Sequence, residues 1–542
     1  MRLSCVFLCC VALTSPVSAF AARSRPQTSQ CASCTRHQSN HGLRLQQQKP
    51  LLAIRGGALA STAVLQTARV AIMATPTSFF NAIFVTLMAS VVALKSQGIA
   101  SMLRSAAGGK LHGAETSAGA ETKPAGVKSL QLRFLFVFWL LRMADWLQGP
   151  YFYEVYSSKI INGLPVSLDL VSKLFLVGFA STGLFGPWIG RLVDALGRRA
   201  GTIAFAALYT VGALSTRSAL LPLLLLGRVA GGVGTSLLFS APEAWVVGEH
   251  LKDKHDGKYI GETFGLAYAG DALVAIAAGQ LASMAAARMG PTGPFTTSVA
   301  FLAVGSLLAA LTWGENVAPA APAQAAGGAV AKGKPTIIDA LGVMAADRRI
   351  LLVGAMQALF EGAMYIFVLQ WCPAIKRAID MSAQWGGGAG TAVVPFGKIF
   401  SCFMANCLLG TTLFAATQKR GVRVETSAAV MMTSATLAMA AASLSAASAG
   451  ASLGTLVAAF FAFEACVGMY FPSIGTLRSK YLPDTHRTVI MNLFGIPLNL
   501  IVVSVFLSIK HLGVGGALSC ATGALGVASL CSIALARQPS KK

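Results

Sequence analysis

Charge is scarce in this chain. Asp, Glu, Lys and Arg make up 12% of 542 residues, about half the share of an ordinary soluble protein, which excludes a large soluble fold. Acids are scarcer still, 20 against 43 Lys and Arg, and none precedes Glu115. Cysteine is present without a pattern: Cys402, Cys407, Cys466, Cys520 and Cys531 fall in apolar stretches, where a thiol behaves as a small hydrophobe. The Cys31/Cys34 C-x-x-C pair has no second pair or histidine motif at zinc-like spacing, so neither a disulfide framework nor a metal centre is expected. No P-loop, zinc-helix or nucleophile-elbow motif occurs, so an enzyme is disfavoured and no cofactor is expected. Although the net charge is +23, eleven of the Lys and Arg lie in the first 114 residues and no basic stripe interleaves with aromatics. Nucleic acid is therefore not an expected partner.

Apolar length is abundant. The chain is 55% hydrophobic with a mean hydropathy of +0.64, and runs of about 17–25 apolar residues recur, each able to cross a hydrocarbon core of ~30 Å as a helix. An all-α membrane protein follows, with the lipid bilayer as its first partner. Spans are expected near 131–149, 169–189, 202–218, 220–241, 263–285 and 296–313, then near 349–371, 392–416, 427–448, 451–474, 488–508 and 513–536. This divides the chain into a six-helix bundle over 131–313, an Ala/Pro/Gly-rich linker over 314–346 and a second six-helix bundle over 347–536. Residues 78–94 form a short additional candidate span. If both ends of the twelve-span block share the cytoplasmic-type side, the loops there hold sixteen Lys and Arg against seven opposite, in accord with the positive-inside rule.

The N-terminus resembles an address. Residues 1–19 read as a signal peptide, with Arg2, an apolar core over 6–13 and a small-residue ending at Ala19. Residues 20–70 are acid-free and rich in Arg, Ser, Thr and Gln, a transit-peptide composition. The Ala19-Phe20-Ala21 junction resembles the bipartite plastid-targeting presequences of algae with complex plastids. A plastid envelope is the expected location, with the plasma membrane as the alternative.

Ionisable residues inside spans are costly in lipid and usually face a cavity or a partner. Arg142 and Asp145 stand three apart on one helix face of span 1. Arg228 lies in span 4 with no acid near it in sequence, Asp271 in span 5, Glu361 in span 7 and Glu464 in span 10. Arg142 with Asp145 is the expected internal ion pair, and Arg228 the expected ligand contact. Arg228, Arg142, Asp145, Glu361 and Glu464 are the candidate substrate-binding residues, and Glu361, Glu464 or Asp145 could couple protons. The loop between spans 2 and 3 reads Gly190-x-Leu192-x-Asp194-x-x-Gly197-Arg198-Arg199. Its glycines permit a tight turn and Asp194 can accept charge-assisted hydrogen bonds, so these residues are the candidate gate.

That loop matches motif A of the major facilitator superfamily, and Gly227-Arg228, Gly231 and Gly234 resemble its span-4 motif. Closer matches point to the molybdate-anion transporter family: Ala144-Asp145-Trp146-Leu147-Gln148-Gly149-Pro150-Tyr151, Glu243-Ala244-Trp245, Trp313-Gly314-Glu315-Asn316, Asp347-Arg348-Arg349, Gln357-Ala358-Leu359-Phe360-Glu361 and Gly468-Met469-Tyr470-Phe471-Pro472-Ser473. The resemblance covers about residues 130–500. It implies the major facilitator fold and transport of a small anion such as molybdate by alternating access; the sequence does not give the oligomeric state, for which a monomer is the expectation. An organic-solute transporter and a non-transporting receptor or scaffold are the rivals. Two departures stand out. The family's Asn-x-Phe-Arg-x-Pro-Leu in span 11 has Gly495 in place of Arg, and Arg142 stands where the family is usually apolar. Arg142 is thus a candidate to supply the lost charge from another helix.

Overall fold

The computed structural model describes residues 74–106, 124–317, 337–382, 385, 393–448, 452–483 and 485–538. The signal-like and transit-like segments and most of the linker lie outside the described residues. Helix dominates because in lipid every backbone N–H and C=O must be satisfied within its own segment. In chain order the elements are α1 (Pro76–Ala106), α2 (Ala125–Gln148), a 3₁₀ turn (Gly149–Tyr151), α3 (Phe152–Ser157), a two-residue hairpin of β1 (Ile160–Ile161) and β2 (Leu164–Pro165), α4 (Leu168–Leu196), α5 (Arg198–Ser215), α6 (Leu221–Leu238), α7 (Ala241–Lys252), α8 (Gly257–Met289) and α9 (Gly293–Thr312). After the linker come α10 (Ile337–Ala346), α11 (Arg348–Asp380), α12 (Phe396–Lys419), α13 (Val424–Ala447), α14 (Leu453–Tyr481), α15 (Arg487–Leu507) and α16 (Ile509–Ala536).

Among the described residues, eleven helices are long and apolar enough to cross a membrane, α1 included. Helices α2 and α5 are not among them. Arg133, Arg142 and Asp145 interrupt α2, and α5 opens on Arg198 and Arg199. Both nevertheless pack inside the bundle, because their charges find partners there.

The two halves repeat one packing plan. In the first, α2 touches α8 and α9, α6 touches α4 and α5, and α5 touches α9. In the second, α11 touches α15 and α16, α14 touches α12 and α13, and α13 touches α16, which is the same pattern six spans on. The halves meet through the equivalent pairs α8–α12 and α4–α15. Close approach is built from small residues: a Cβ at Gly232 would strike the Gly178 carbonyl, and one at Gly279 the Gly397 carbonyl.

Contacts between the halves gather at the end of the bundle away from the basic loop. Lys376 Nζ on α11 pairs with Glu154 on α3 at 3.0 Å, and Cys372 Sγ donates to the Pro150 carbonyl at 3.5 Å. Tyr151 meets Phe396 and Phe175 meets Phe506 edge-on. Helix α1 lies against α12, burying Phe79, Phe80, Ile83 and Leu87, and Lys398 Nζ donates to Asn81 Oδ1 at 2.6 Å.

Candidate substrate site and gate

Arg228 stands on α6, and the absence of a side chain at Gly178 on the facing α4 makes room for it. A Cβ at Gly178 on α4 would collide with the guanidinium. The partners of that guanidinium are all neutral. Its Nε donates to the Leu174 carbonyl at 3.3 Å, its Cζ stands 4.6 Å over the Phe152 ring, and the Tyr156 hydroxyl lies beside it. No acidic side chain pairs with it among the described residues. It faces a small, partly open pocket lined also by Gln148, Tyr209, Gly212, Gly231 and Thr235. A guanidinium whose company is a carbonyl, a hydroxyl and a π-face, with no carboxylate, retains donors for a planar or tetrahedral oxyanion.

Arg142 is in the opposite situation. Its Nε and Nη2 donate to the two oxygens of Asp271 on α8, both at 2.9 Å, and its Nη1 donates to Asp145 at 3.1 Å. Trp146 Nε1 adds a fourth bond, to Asp271 Oδ1 at 2.8 Å, and the Trp146 and Phe239 rings flank the guanidinium. Only 7% of Arg142 is exposed. The expected Arg142–Asp145 pair is therefore present, but the stronger, bidentate partner is Asp271. Tyr209 joins this cluster to the Arg228 pocket: its hydroxyl donates to Asp145 at 2.8 Å and lies 2.9 Å from Thr235 Oγ1.

Glu361 and Glu464 belong to the other half, and neither lines the Arg228 pocket. Tyr470 on α14 donates to Glu361 on α11 at 2.8 Å. Glu464, 6% exposed, sits on α14 with no hydrogen bond or ion pair among the described residues. A Cβ at Gly495 on α15 would meet nothing within 4 Å.

The gate loop is ordered by a residue outside it. Gly197 adopts φ +122°, a conformation that L side chains rarely adopt. A Cβ there would also strike the Glu315 carboxylate. That carboxylate accepts from the backbone N–H of Arg199 at 2.9 Å and of Ala200 at 3.0 Å, and so caps the N-terminus of α5. Asp194 is by comparison loosely held. Its side chain is 53% exposed and reaches only Arg198, at 3.4 Å. Arg199 donates to the Trp313 carbonyl at 3.1 Å, and a Cβ at Gly190 would meet open space.

Comparison with known proteins settles the family. Residues 97–468 match a major-facilitator model described as sugar transporters with 12 transmembrane helices. A molybdate-anion transporter of Takifugu rubripes is 30% identical over 396 residues, covering 69% of this chain and 78% of the relative. The chain belongs to the molybdate-anion transporter family of the major facilitator superfamily. The Xenopus tropicalis molybdate-anion transporter is 29% identical over 395 residues, 71% of this chain and 80% of that one. Solved structures share the fold at low identity. A bacterial homologue of the iron transporter ferroportin, inward-facing, gives a TM-score of 0.56 at 12% identity over 77% of this chain and 100% of its own. A nucleoside transporter gives 0.55 at 14% over 75% and 99%.

In this family member, then, the chain is an integral membrane transporter, and two of its conspicuous segments acquire structural roles. Trp313-Gly314-Glu315-Asn316 straps the end of α9 to three other helices. Trp313 stacks on Trp245 with centroids 3.9 Å apart, its Nε1 donates to the Arg133 carbonyl, and Asn316 Nδ2 donates to Trp245 O and Glu249 Oε1, both at 3.1 Å. Glu243 accepts from Tyr268. Sequence reasoning missed Tyr209, Thr235 and Gln148 as pocket residues and Glu315 as a cap. The quoted Trp-Gly-Glu-Asn run was the available signal for Glu315; a Tyr or Thr in an apolar span gives none.

Proposed function

We propose that this transporter carries a small oxyanion, molybdate, by alternating access between its two halves, and that Arg228 meets the anion. The observation that carries the reading is the contrast between the two intramembrane arginines. Arg142 is engaged by two carboxylates, whereas Arg228 has only neutral neighbours and faces a partly open, hydroxyl-lined pocket. A lone guanidinium in lipid is costly, and a bound oxyanion offsets that cost with paired, charge-assisted hydrogen bonds. The molybdate-anion transporter names of the relatives supply the anion. In this reading Arg142 and Asp145 act from behind the pocket through Tyr209, and Glu361 and Glu464 are the acids of the facing half. On this reading the protein works as a transporter and not as an enzyme, with a monomer as the expected state and no part for nucleic acid.

A second reading, an organic-solute transporter, is favoured by the sugar-transporter description of the matching family model. A ligand panel on purified protein separates the two. Molybdate at about 100 times its dissociation constant should stabilise the folded state by about 2.7 kcal/mol, with tungstate acting alike. Stabilisation by a sugar or nucleoside and by no oxyanion would overturn the anion reading.

The gate proposal assigns the loop Gly190, Asp194, Gly197, Arg198 and Arg199 to closure of the basic end, with Asp194 free to accept a new partner in the other state. Asp194→Asn should slow transport while leaving thermal stability unchanged. Glu315→Ala, which uncaps α5, should cost about 0.5–2 kcal/mol of stability. A transport rate unchanged by Asp194→Asn would reduce Asp194 to a solvated loop residue. The location proposed is a plastid envelope, with residues 1–19 a signal peptide and 20–70 a transit segment. A fluorescent fusion of residues 1–70 should enter plastids, and plasma-membrane labelling alone would contradict this.

A further inference from the structure

Helix α3 spans six residues, and its two sides meet different parts of the molecule. Phe152 and Tyr156 are four apart and so share one side. That side seats Arg228. The guanidinium carbon stands 4.6 Å over the Phe152 ring, the Tyr156 hydroxyl lies beside the guanidinium, and the two rings pack edge to face with centroids 5.1 Å apart. Glu154 is two residues from each and leaves the helix on the opposite side. Its carboxylate oxygens accept from Lys376 Nζ on α11, in the other half, at 3.1 and 3.0 Å. The turn just before α3 adds the Pro150 carbonyl, which accepts from Cys372 on the same helix α11.

Aromatic contacts run the same way, from the guanidinium into the second half. Phe152 meets Phe175 on α4 edge-on at 5.5 Å, and Phe175 meets Phe506 on α15 at 5.3 Å. Neither Phe152 nor Tyr156 lines the Arg228 pocket, so both lie behind the guanidinium. No carboxylate fixes Arg228 in place, and its seat is made by α3 and the Leu174 carbonyl alone. An oxyanion accepting from the guanidinium offsets the positive charge that attracts the Phe152 ring. It also competes with the Leu174 carbonyl and the Tyr156 hydroxyl for the N–H groups.

We infer that α3 senses whether Arg228 is occupied and passes that state to the contact between the halves, with Phe152 and Tyr156 as the sensing residues and Glu154 as the residue that acts on the second half. This rests on the oxyanion reading of the Arg228 pocket. With the site empty, Phe152 and Tyr156 hold α3 against the guanidinium, where Glu154 reaches Lys376 and this end stays shut. An oxyanion on Arg228 releases α3 and with it the Glu154–Lys376 pair, and this end opens. All three are positioning residues, since each acts through Arg228 or Lys376. The anion can shift the balance only by as much as its affinity differs between the shut and open states, and the contacts of α3 with Arg228 supply that difference.

The test uses the purified full-length protein and molybdate. Spin labels at Leu164 in the hairpin and Met381 after α11, both exposed and one on each half, measure the separation of the halves at this end. In the wild type, saturating molybdate should raise the long-distance population from about 10% or less to at least about half, which takes about tenfold tighter binding to the open state. Glu154→Gln should show the long distance without molybdate. The Phe152→Leu/Tyr156→Phe double variant should still bind molybdate, yet give one distance distribution with and without it. A wild-type distribution unmoved by bound molybdate overturns the inference, and so does a double variant that responds as wild type does. If the double variant fails to fold, Glu154→Gln decides, because a protein that stays shut and still responds to molybdate contradicts a link through Glu154. If no oxyanion binds at all, the functional reading has failed separately. Ligand-free Arg228→Ala then tests the sensor alone: with its seat gone, α3 should release and the long distance should appear, whereas a distribution like that of the wild type contradicts the inference.

Discussion

Replacing Arg228 with alanine should abolish oxyanion binding while leaving the protein folded. The guanidinium has no ion-pair partner to strand, so its removal exposes no buried charge. What is lost is the cation that the pocket offers. Arg228→Lys is the more informative change, since it keeps the charge and discards the planar fork. Losing one charge-assisted hydrogen bond of about 1.5–3 kcal/mol should weaken molybdate affinity by at least about tenfold. Equilibrium binding of labelled molybdate to purified variants reads both effects. Equal binding by wild type and Arg228→Ala would make Arg228 a packing residue and empty the site assignment.

Arg142→Met should be the most destabilising single change in the first half, for the opposite reason. It removes the cation that pairs with both Asp145 and Asp271 and leaves Asp271 buried and Asp145 half-buried without it. Breaking a buried pair in this way costs about 3–5 kcal/mol. Adding Asp271→Asn to Arg142→Met removes one of the stranded charges, so the double variant should recover part of the loss. Thermal unfolding in detergent distinguishes the cases. A single variant as stable as wild type, or a double variant less stable than the single, would show that the cluster is not an ionic lock. The expectation that Arg142 replaces the Arg missing at Gly495 fits poorly with three of its donors engaged by Asp271 and Asp145.

Most of the fold was readable as apolar length, because a helix of about 20 residues is the only cheap way through hydrocarbon. Its ends were less readable. Helix α11 runs on to Asp380, past the expected limit near 371, and the added turns carry Lys376 to Glu154. Charges beyond an apolar run look like loop when only hydropathy is counted. In the site, the i, i+3 pair Arg142–Asp145 was legible from helix geometry, and so was the isolation of Arg228. The bond from Arg142 to Asp271 was not, since it joins residues 129 apart through the packing of α2 on α8. Glu315 escaped for the same reason, 116 residues from the amide that it caps. Hydropathy records which residues face lipid or core and says nothing of which helices are neighbours.

Uptake of labelled molybdate into proteoliposomes containing the purified protein tests the central claim most directly. Wild-type vesicles should accumulate label that excess tungstate suppresses, while vesicles with Arg228→Ala and protein-free vesicles should both stay at background. Wild-type uptake no greater than that of protein-free vesicles, or uptake equal in the Arg228→Ala vesicles, would contradict an oxyanion transporter built around Arg228.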